Sequence, residues 1–188
     1  MQTQKNIGED DVVYWLDAND QICFVNEAYD RLATAYAAGE VASSAVLKQS
    51  IWDYITDTTT RQIYRILLTR VRAGHPTSFR IRCDSPDHRR SLQIDVSQPE
   101  SEIVEFRVRT LNAVERPHEA LLDFHALRSG ELLRICSWCN KVNLNDAWRE
   151  IDDVLVRVHL FELGVLPGLT HGICGQCSAS MMKVLAES

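Results

Sequence analysis

The side chains in this chain best equipped for chemistry are cysteines. Six occur among 188 residues, and four of them form two matched pairs, Cys136 with Cys139 and Cys174 with Cys177, separated by residues 140–173. A C-x-x-C turn lets two sulfurs reach one ion while intervening amides hydrogen-bond to them. Two such turns complete the tetrahedral four-thiolate shell that zinc accepts. A filled shell leaves no position for water, so the expected role is structural. Iron, alone or in a cluster, takes the same soft ligands and is the alternative metal. A c-type haem is excluded, because Asn140 and Ser178 rather than His follow the two pairs. A thioredoxin-type pair would open a helix beside a βαβ unit, whereas the polar stretch Asn140 to Asn145 follows the first pair. Redox switching is therefore the minor option.

His171 lies three residues before Cys174. With four thiolates already filling the shell, its expected part is to donate a ring N–H to a cysteine sulfur or a carbonyl, fixing the loop and offsetting thiolate charge. The other histidines, His75, His88, His118, His125 and His159, show no mutual spacing that suggests a site. There is no P-loop, G-x-G-x-x-G, H-E-x-x-H or G-x-S-x-G, and no kinase or phosphoacceptor segment, so no enzyme is expected.

The formal net charge of −6 divides evenly, with 14 Lys+Arg against 17 Asp+Glu over residues 1–116 and 6 against 9 over 117–188. Duplex DNA needs a basic footprint, which the cysteine-bearing part lacks, so nucleic acid is not expected as a partner. Arg61, Arg65, Arg70, Arg72, Arg80, Arg82, Arg89 and Arg90 concentrate positive charge in one quarter of the chain. They read as a solvated face, or as a flat basic surface for an acidic partner protein. The start, Met1 to Asp11, is polar and acidic, and no apolar run approaches 18 residues. The expectation is a soluble, cytoplasmic protein with no membrane segment and reduced thiols.

The elements that must position the cysteines follow from periodicity. Val12 to Asp17 and Ile22 to Asn26 read as strands joined by the turn Ala18-Asn19-Asp20. Glu27 to Ala38 and about Thr58 to Ala73 read as helices, the second capped by Asp57 or Thr58, striped by Ile63, Ile66, Leu67 and Val71, and stopped by Gly74 and Pro76. Phe79 to Cys83, Leu92 to Val96 and Val104 to Arg109 alternate apolar with polar and predict an antiparallel meander. Pro117, then Leu121, Phe124 and Leu127, then Ser129-Gly130, predict a connecting helix whose stripe packs on its own sheet or on a second copy. Asn143 to about Leu160 reads as a further helix carrying Trp148, Ile151, Leu155 and Val158 on one face, over the metal.

Over roughly residues 7–113 the chain resembles the PAS domain. The residues that carry this are Val13-Tyr14-Trp15-Leu16-Asp17 with Asn19-Asp20, Phe24-Val25-Asn26-Glu27-Ala28, Ser50-Ile51-Trp52-Asp53-Tyr54-Ile55, and Gly74 before the closing strands. Asn26 stands where PAS domains place a polar residue that closes the second strand onto the helix. Over about residues 127–181, Ile135-Cys136-Ser137-Trp138-Cys139, Trp148, and His171-Gly172-Ile173-Cys174-Gly175-Gln176-Cys177 resemble the I-C-x-x-C … H-G-I-C-x-x-C module that trails PAS or receiver domains in bacterial signalling proteins. Arg134 stands where that module usually has Pro, and Leu160 to Leu169 looks like an enlarged loop.

The reading is an α+β protein with a PAS-like sensor domain over 7–113, a connecting helix over 114–134, and a small helical four-cysteine zinc-binding domain over 135–188. The resemblance implies a pocket between sheet and helices, lined by Tyr14, Phe24, Trp52, Phe79, Ile81, Cys83, Ile94 and Phe106. A core filled by these same residues is the competing expectation. Function is expected to be that of a sensory adaptor without an output domain, acting through contacts with a protein partner of a signalling pathway, with a homodimer as a further expectation. The alternatives are a redox- or metal-responsive switch at the four cysteines and a haem- or flavin-binding PAS sensor.

Overall fold

The computed structural model describes residues 10–35, 42–123, 125–158 and 165–187. Strand β1 (Val12–Leu16) pairs antiparallel with β2 (Ile22–Val25). Their turn is set by Asp17, whose carboxylate accepts from the Asn19 and Gln21 N–H groups at 2.8 and 2.9 Å, and by Asp20 at φ 60°. Asn26 then ties β1 to the start of α1 (Glu27–Ala35). Its Oδ1 accepts from the N–H groups of Val13 (3.0 Å) and Tyr29 (3.1 Å), and its Nδ2 donates to the Asp11 carbonyl (2.7 Å). The remainder of the expected helix to Ala38 lies outside the described residues.

Two short helices, α2 (Ser43–Val46) and α3 (Ile51–Tyr54), lead to α4 (Thr58–Arg72). Asp57 caps α4 through the Thr60 N–H and hydroxyl, both at 2.8 Å, and Gly74 at φ 88° follows its end. The expected stripe is on the inner face, with Ile63, Leu67 and Val71 buried. The predicted meander then appears as β3 (Thr77–Arg82), β4 (His88–Glu100) and β5 (Ile103–Glu115). All five strands pair antiparallel in the order β2-β1-β5-β4-β3, with the helices packed against one face. This is the PAS-like arrangement.

The connecting helix is not formed. Residues 120–122 make a single 3-10 turn, and β6 (Arg128–Cys136) follows. Leu121, at 0 % exposure, is buried inside this chain against Ile135, Val142, Ile151 and Val154, while Leu127 is 76 % exposed, so they share no helical stripe. Phe124 lies outside the described residues. The homodimer expectation thereby loses its Leu121 anchor. Tertiary pairing overrides the helical pattern: Arg128 donates to the carbonyls of Leu121, Asp123 and Pro167, and Ser129-Gly130, expected to stop a helix, sits at a register shift within β6.

The helix expected from Asn143 begins only at α5 (Ile151–Val158). Before it, β7 (Val142–Leu144) and β8 (Ala147–Arg149) form a hairpin whose two-residue turn, Asn145-Asp146, has φ of 51° and 61°, the left-handed pair that such turns require. Trp148 therefore stands on a strand, and the side chains of Leu155 and Val158 lie outside the description. Strand β9 (Leu166–Gly172) takes up the last residues, 166–169, of the stretch expected as loop, and α6 (Gly175–Glu187) follows. The second sheet runs β8-β7-β6-β9, with β9 parallel to β6. The C-terminal unit thus holds helices α5 and α6 together with this small sheet.

The two parts share one core. Cys136, Trp138, Ile173, Cys174, Met181 and Leu185 belong to the same buried cluster as Leu16, Leu67, Phe79 and Phe106. Among the described residues no helix is long and apolar enough to cross a membrane.

Candidate metal centre

The four cysteines come together where two strands end. Strand β6 delivers Cys136 into a turn held by the Asn140 N–H on the Cys136 carbonyl (2.9 Å) and the Cys136 N–H on the Lys141 carbonyl (2.8 Å), with Asn140 at φ 56°. Its parallel neighbour β9 delivers Ile173 and Cys174 into α6, which carries Cys177 in its first turn. The Ser137 N–H donates to the Gly172 carbonyl at 2.9 Å and joins the two turns. A side chain at Gly172 would meet the Arg134 guanidinium, which would have to shift aside.

All four Sγ atoms lie within 4.8 Å of one another, and Cys139 and Cys174 are 3.8 Å apart. Four sulfurs at zinc–sulfur bonds of about 2.3 Å stand about 3.8 Å apart along each tetrahedral edge. Backbone donors point at the sulfurs, from the Cys174 N–H to Cys136 Sγ (3.3 Å) and from the Cys177 N–H to Cys174 Sγ (3.4 Å). The hydrogen bond from Cys139, with the backbone N–H groups of Cys174, Trp138 and Cys139, pulls the Cys136 thiol down to about 5 against the effect of burial. Serving as that donor pushes Cys139 well up, and burial pushes Cys177 up to about 12. One thiolate is stabilised and its neighbours resist ionising beside it, because a second negative charge so close is unfavourable. These residues fit a single tetrahedral metal ion. Cys136 and Cys174 are buried, Cys139 and Cys177 half-buried.

The centre is fastened to the PAS-like sheet by residues the motif reading did not place in the site. Trp138, inside the first C-x-x-C, stacks on Phe79 of β3 at 6.4 Å and meets the Tyr64 edge of α4 at 6.2 Å. The Arg82 N–H donates to the Trp138 carbonyl at 2.8 Å. Asn140 completes the joint, its amide NH2 donating to the Arg82 carbonyl and its oxygen accepting from the Asp84 N–H, both at 2.9 Å. The Arg82 guanidinium clamps Asp84 in bidentate fashion and reaches Glu150 at 2.6 Å. Arg134, expected as a departure from the resembling module, pairs with Asp57, the cap of α4. Burial acts to raise the Asp57 carboxyl, but Thr60 and the Arg134 guanidinium outweigh it and hold the group below its usual value. Of these residues the sequence singled out Trp138 and Arg134, both through the resembling module and neither as part of this join. The others act through long-range pairings of ordinary residue types.

His171 does not take the expected part. Its ring makes no hydrogen bond to a sulfur among the described residues, and burial lowers its pKa. It borders a cleft instead, of cavity volume ≈ 300 Å³, together with Phe79, Ile81 and Ile94 from the expected pocket. Tyr14 lines a separate apolar cavity of ≈ 190 Å³ with Ile22, Tyr29, Val46, Ile51 and Tyr54. Phe106 fills the core between Tyr14 and Tyr64, at ring distances of 4.8 and 6.1 Å. Cys83 is half-buried outside both cavities, its thiol raised by burial. Trp52 donates to Asp20 at 2.9 Å beneath the Arg65 guanidinium. Phe24 is 38 % exposed and packs on Trp15, because a bulge in β2 reverses the alternation: Ile22 faces Leu16 inward, and Phe24 is left opposite Trp15 outside.

The expected basic surface is largely consumed within the fold. Arg61 donates to the Ile55 and Trp52 carbonyls, Arg72 pairs with Asp20, Arg82 with Asp84 and Glu150, Arg89 with Asp152, and Arg90 with the Cys83 carbonyl.

Fold and site together define a PAS-like α+β protein with four cysteines positioned in its core to bind a metal ion. Comparison with solved structures returns a domain of an HTR-like protein from Haloarcula marismortui, at 15% identity over 55% of this chain and 100% of that one, with a TM-score of 0.34. It also returns a sensory box sensor histidine kinase from Vibrio cholerae, at 11% identity over 54% and 82%, TM-score 0.39. A third is the photoactive yellow protein domain of the sensor histidine kinase Ppr from Rhodospirillum centenum, at 15% over 58% and 93%, TM-score 0.38. No protein-family model matches the chain. No curated protein matches it either.

Proposed function

We propose that this chain is a non-catalytic sensory signalling adaptor, in which a PAS-like unit is held rigid by one structural zinc ion and acts through contacts with a partner protein. The observation that carries this reading is the placement of Trp138. It joins the two thiolates of the first turn to Phe79 and Tyr64 of the PAS-like core, so that metal and sensor unit form one body. Zinc supplies no chemistry here beyond cross-linking four ligands, since the thiolates fill its shell. Cys136, Cys139, Cys174 and Cys177 would hold it.

The test is cross-linking in the source cells with wild-type chain and with Cys136→Ser. The reading expects a discrete partner captured by the wild type and lost with the metal. Equal capture by both would contradict it. Partial exposure of Cys139 and Cys177 favours one second reading, a redox switch. Hydrogen peroxide would take two electrons from two thiolates to form a disulfide, giving two waters with two protons, and the metal would leave. Iron, flavin or haem in place of a colourless zinc protein would show at once in the visible spectrum.

A further inference from the structure

We propose that Asn140 is a positioning residue for the metal: its side-chain amide fastens the first cysteine turn to the edge of β3, so that the turn between β3 and β4 sets how firmly Cys136 and Cys139 hold their ion. This rests on the reading of the four cysteines as a zinc site, and it gives that site a control from the PAS-like sheet.

Two properties meet at this buried residue. Its backbone is left-handed, at φ 56°, which reverses the chain directly after Cys139. The reversal brings the Lys141 carbonyl onto the Cys136 N–H at 2.8 Å and the Lys141 N–H onto the Cys139 sulfur. Its side chain acts on the neighbouring unit. Strand β3 is the last of the five-stranded sheet, so among the described residues no strand pairs with its outer edge. The cysteine turn takes that place. The Arg82 N–H donates to the Trp138 carbonyl at 2.8 Å, the Asn140 NH2 donates to the Arg82 carbonyl, and the Asn140 amide oxygen accepts from the Asp84 N–H, the last two at 2.9 Å. The side-chain amide thus stands in for the peptide group of a sixth strand, and without it a carbonyl and an N–H at the end of β3 lose their partners.

Chemistry restricts the residue. Glycine alone would meet the left-handed backbone. A planar group that donates and accepts at once comes only from Asn or Gln, and of the two Asn is enriched at left-handed positions. The anchor at the other end is firm. The Asp84 carboxylate, on a wholly buried side chain, accepts both arms of the Arg82 guanidinium and the Arg90 N–H at 3.3 Å, and stands 3.6 Å from the Arg116 guanidinium. Held between this anchor and its own left-handed turn, the Cys136–Cys139 segment is arranged for the ion before the ion arrives, as partners behind a metal's ligands do. The Ser137 N–H on the Gly172 carbonyl passes the same order to the second turn.

The experiment uses the full chain, reduced, with metal content measured first. Wild type is compared with Asn140→Gly, which keeps the backbone conformation and loses the amide, with Asn140→Asp, which keeps only the acceptor, and with Leu16→Ala, a core change on β1 outside both cysteine turns. The readouts are the rate of zinc transfer to a chromophoric chelator, the affinity from competition with it, and the visible spectrum of the cobalt(II)-substituted chain, which reports tetrahedral thiolate ligation. Asn140→Gly should speed transfer and weaken binding by roughly 10–100-fold, as the loss of a partner behind the ligands does, while the cobalt spectrum still shows four thiolates. Asn140→Asp should fall between Asn140→Gly and wild type. Leu16→Ala should lower the melting temperature at least as far as Asn140→Gly and leave the transfer rate near that of wild type. Slow hydrogen exchange of the Asn140 NH2 protons in wild type, followed by NMR, tests the bridge independently of how well any variant folds. A wild-type transfer rate in Asn140→Gly would show that only the backbone turn matters, equal acceleration in Leu16→Ala would show that Asn140 acts through global stability, and freely exchanging NH2 protons would remove the bridge; each overturns the proposal. A folded, reduced wild-type chain without metal would remove the zinc reading itself and this role with it.

Discussion

Trp138 and Asp57 are the residues on which the join between metal unit and PAS-like core depends. Trp138 is almost wholly buried between Phe79 and Tyr64, so Trp138→Ala leaves a cavity at the seam and should cost about 3–5 kcal/mol in denaturant melts. Trp138→Phe should cost clearly less, because most of the ring contact survives. Asp57 works through charge. Its folded pKa lies below the ordinary 3.8, so its contribution is complete above that value and is lost as pH falls through the folded value. Stability measured against pH should therefore show wild type and Asp57→Asn converging below about pH 4. A constant difference through that range would mean that the cap geometry, not the carboxylate charge, is what matters.

Among the elements, the 3-10 turn at Ala120–Leu122 replaces a predicted helix. Leu121→Ala should lower stability by about 2–5 kcal/mol and leave the mass in solution unchanged, since Leu121 is buried within its own chain. A change in oligomeric state measured by light scattering would count against that placement. The elements legible in the sequence were those with a local signal. The hairpin β1–β2 announced itself by Asn19-Asp20, α4 by its cap and stripe, the meander by alternation, and the metal ligands by the spacing of two C-x-x-C turns. What escaped was set at long range. Strand β6 exists because β9 lies beside it, and Ser129-Gly130 reads as a stop until that pairing is known. The bulge that turns Phe24 outward depends on where β1 lies, and the clamp of Arg82 on Glu150 spans parts of the chain far apart in sequence. The Asn145-Asp146 turn is the exception: its hairpin signal was local and was overridden by the apolar spacing of Trp148 and Ile151.

Taken whole, the molecule places its four-cysteine site inside one continuous core rather than in an appended unit, since Cys136 and Cys174 share a buried cluster with Leu16, Leu67 and Phe106. Thermal unfolding of the reduced, metal-loaded chain should therefore be a single cooperative transition that a chelator shifts downward as a whole, because a metal bound only by the folded state stabilises everything cooperative with it. Two separated transitions, with the PAS-like sheet surviving chelation at its original midpoint, would show that the shared core does not couple the parts. The claim beneath all of this is that four thiolates hold one structural ion. Elemental analysis of the folded, reduced full chain tests it most directly: the account predicts one zinc per chain, lost on Cys174→Ser, and a folded, reduced wild-type chain that carries no metal would contradict it.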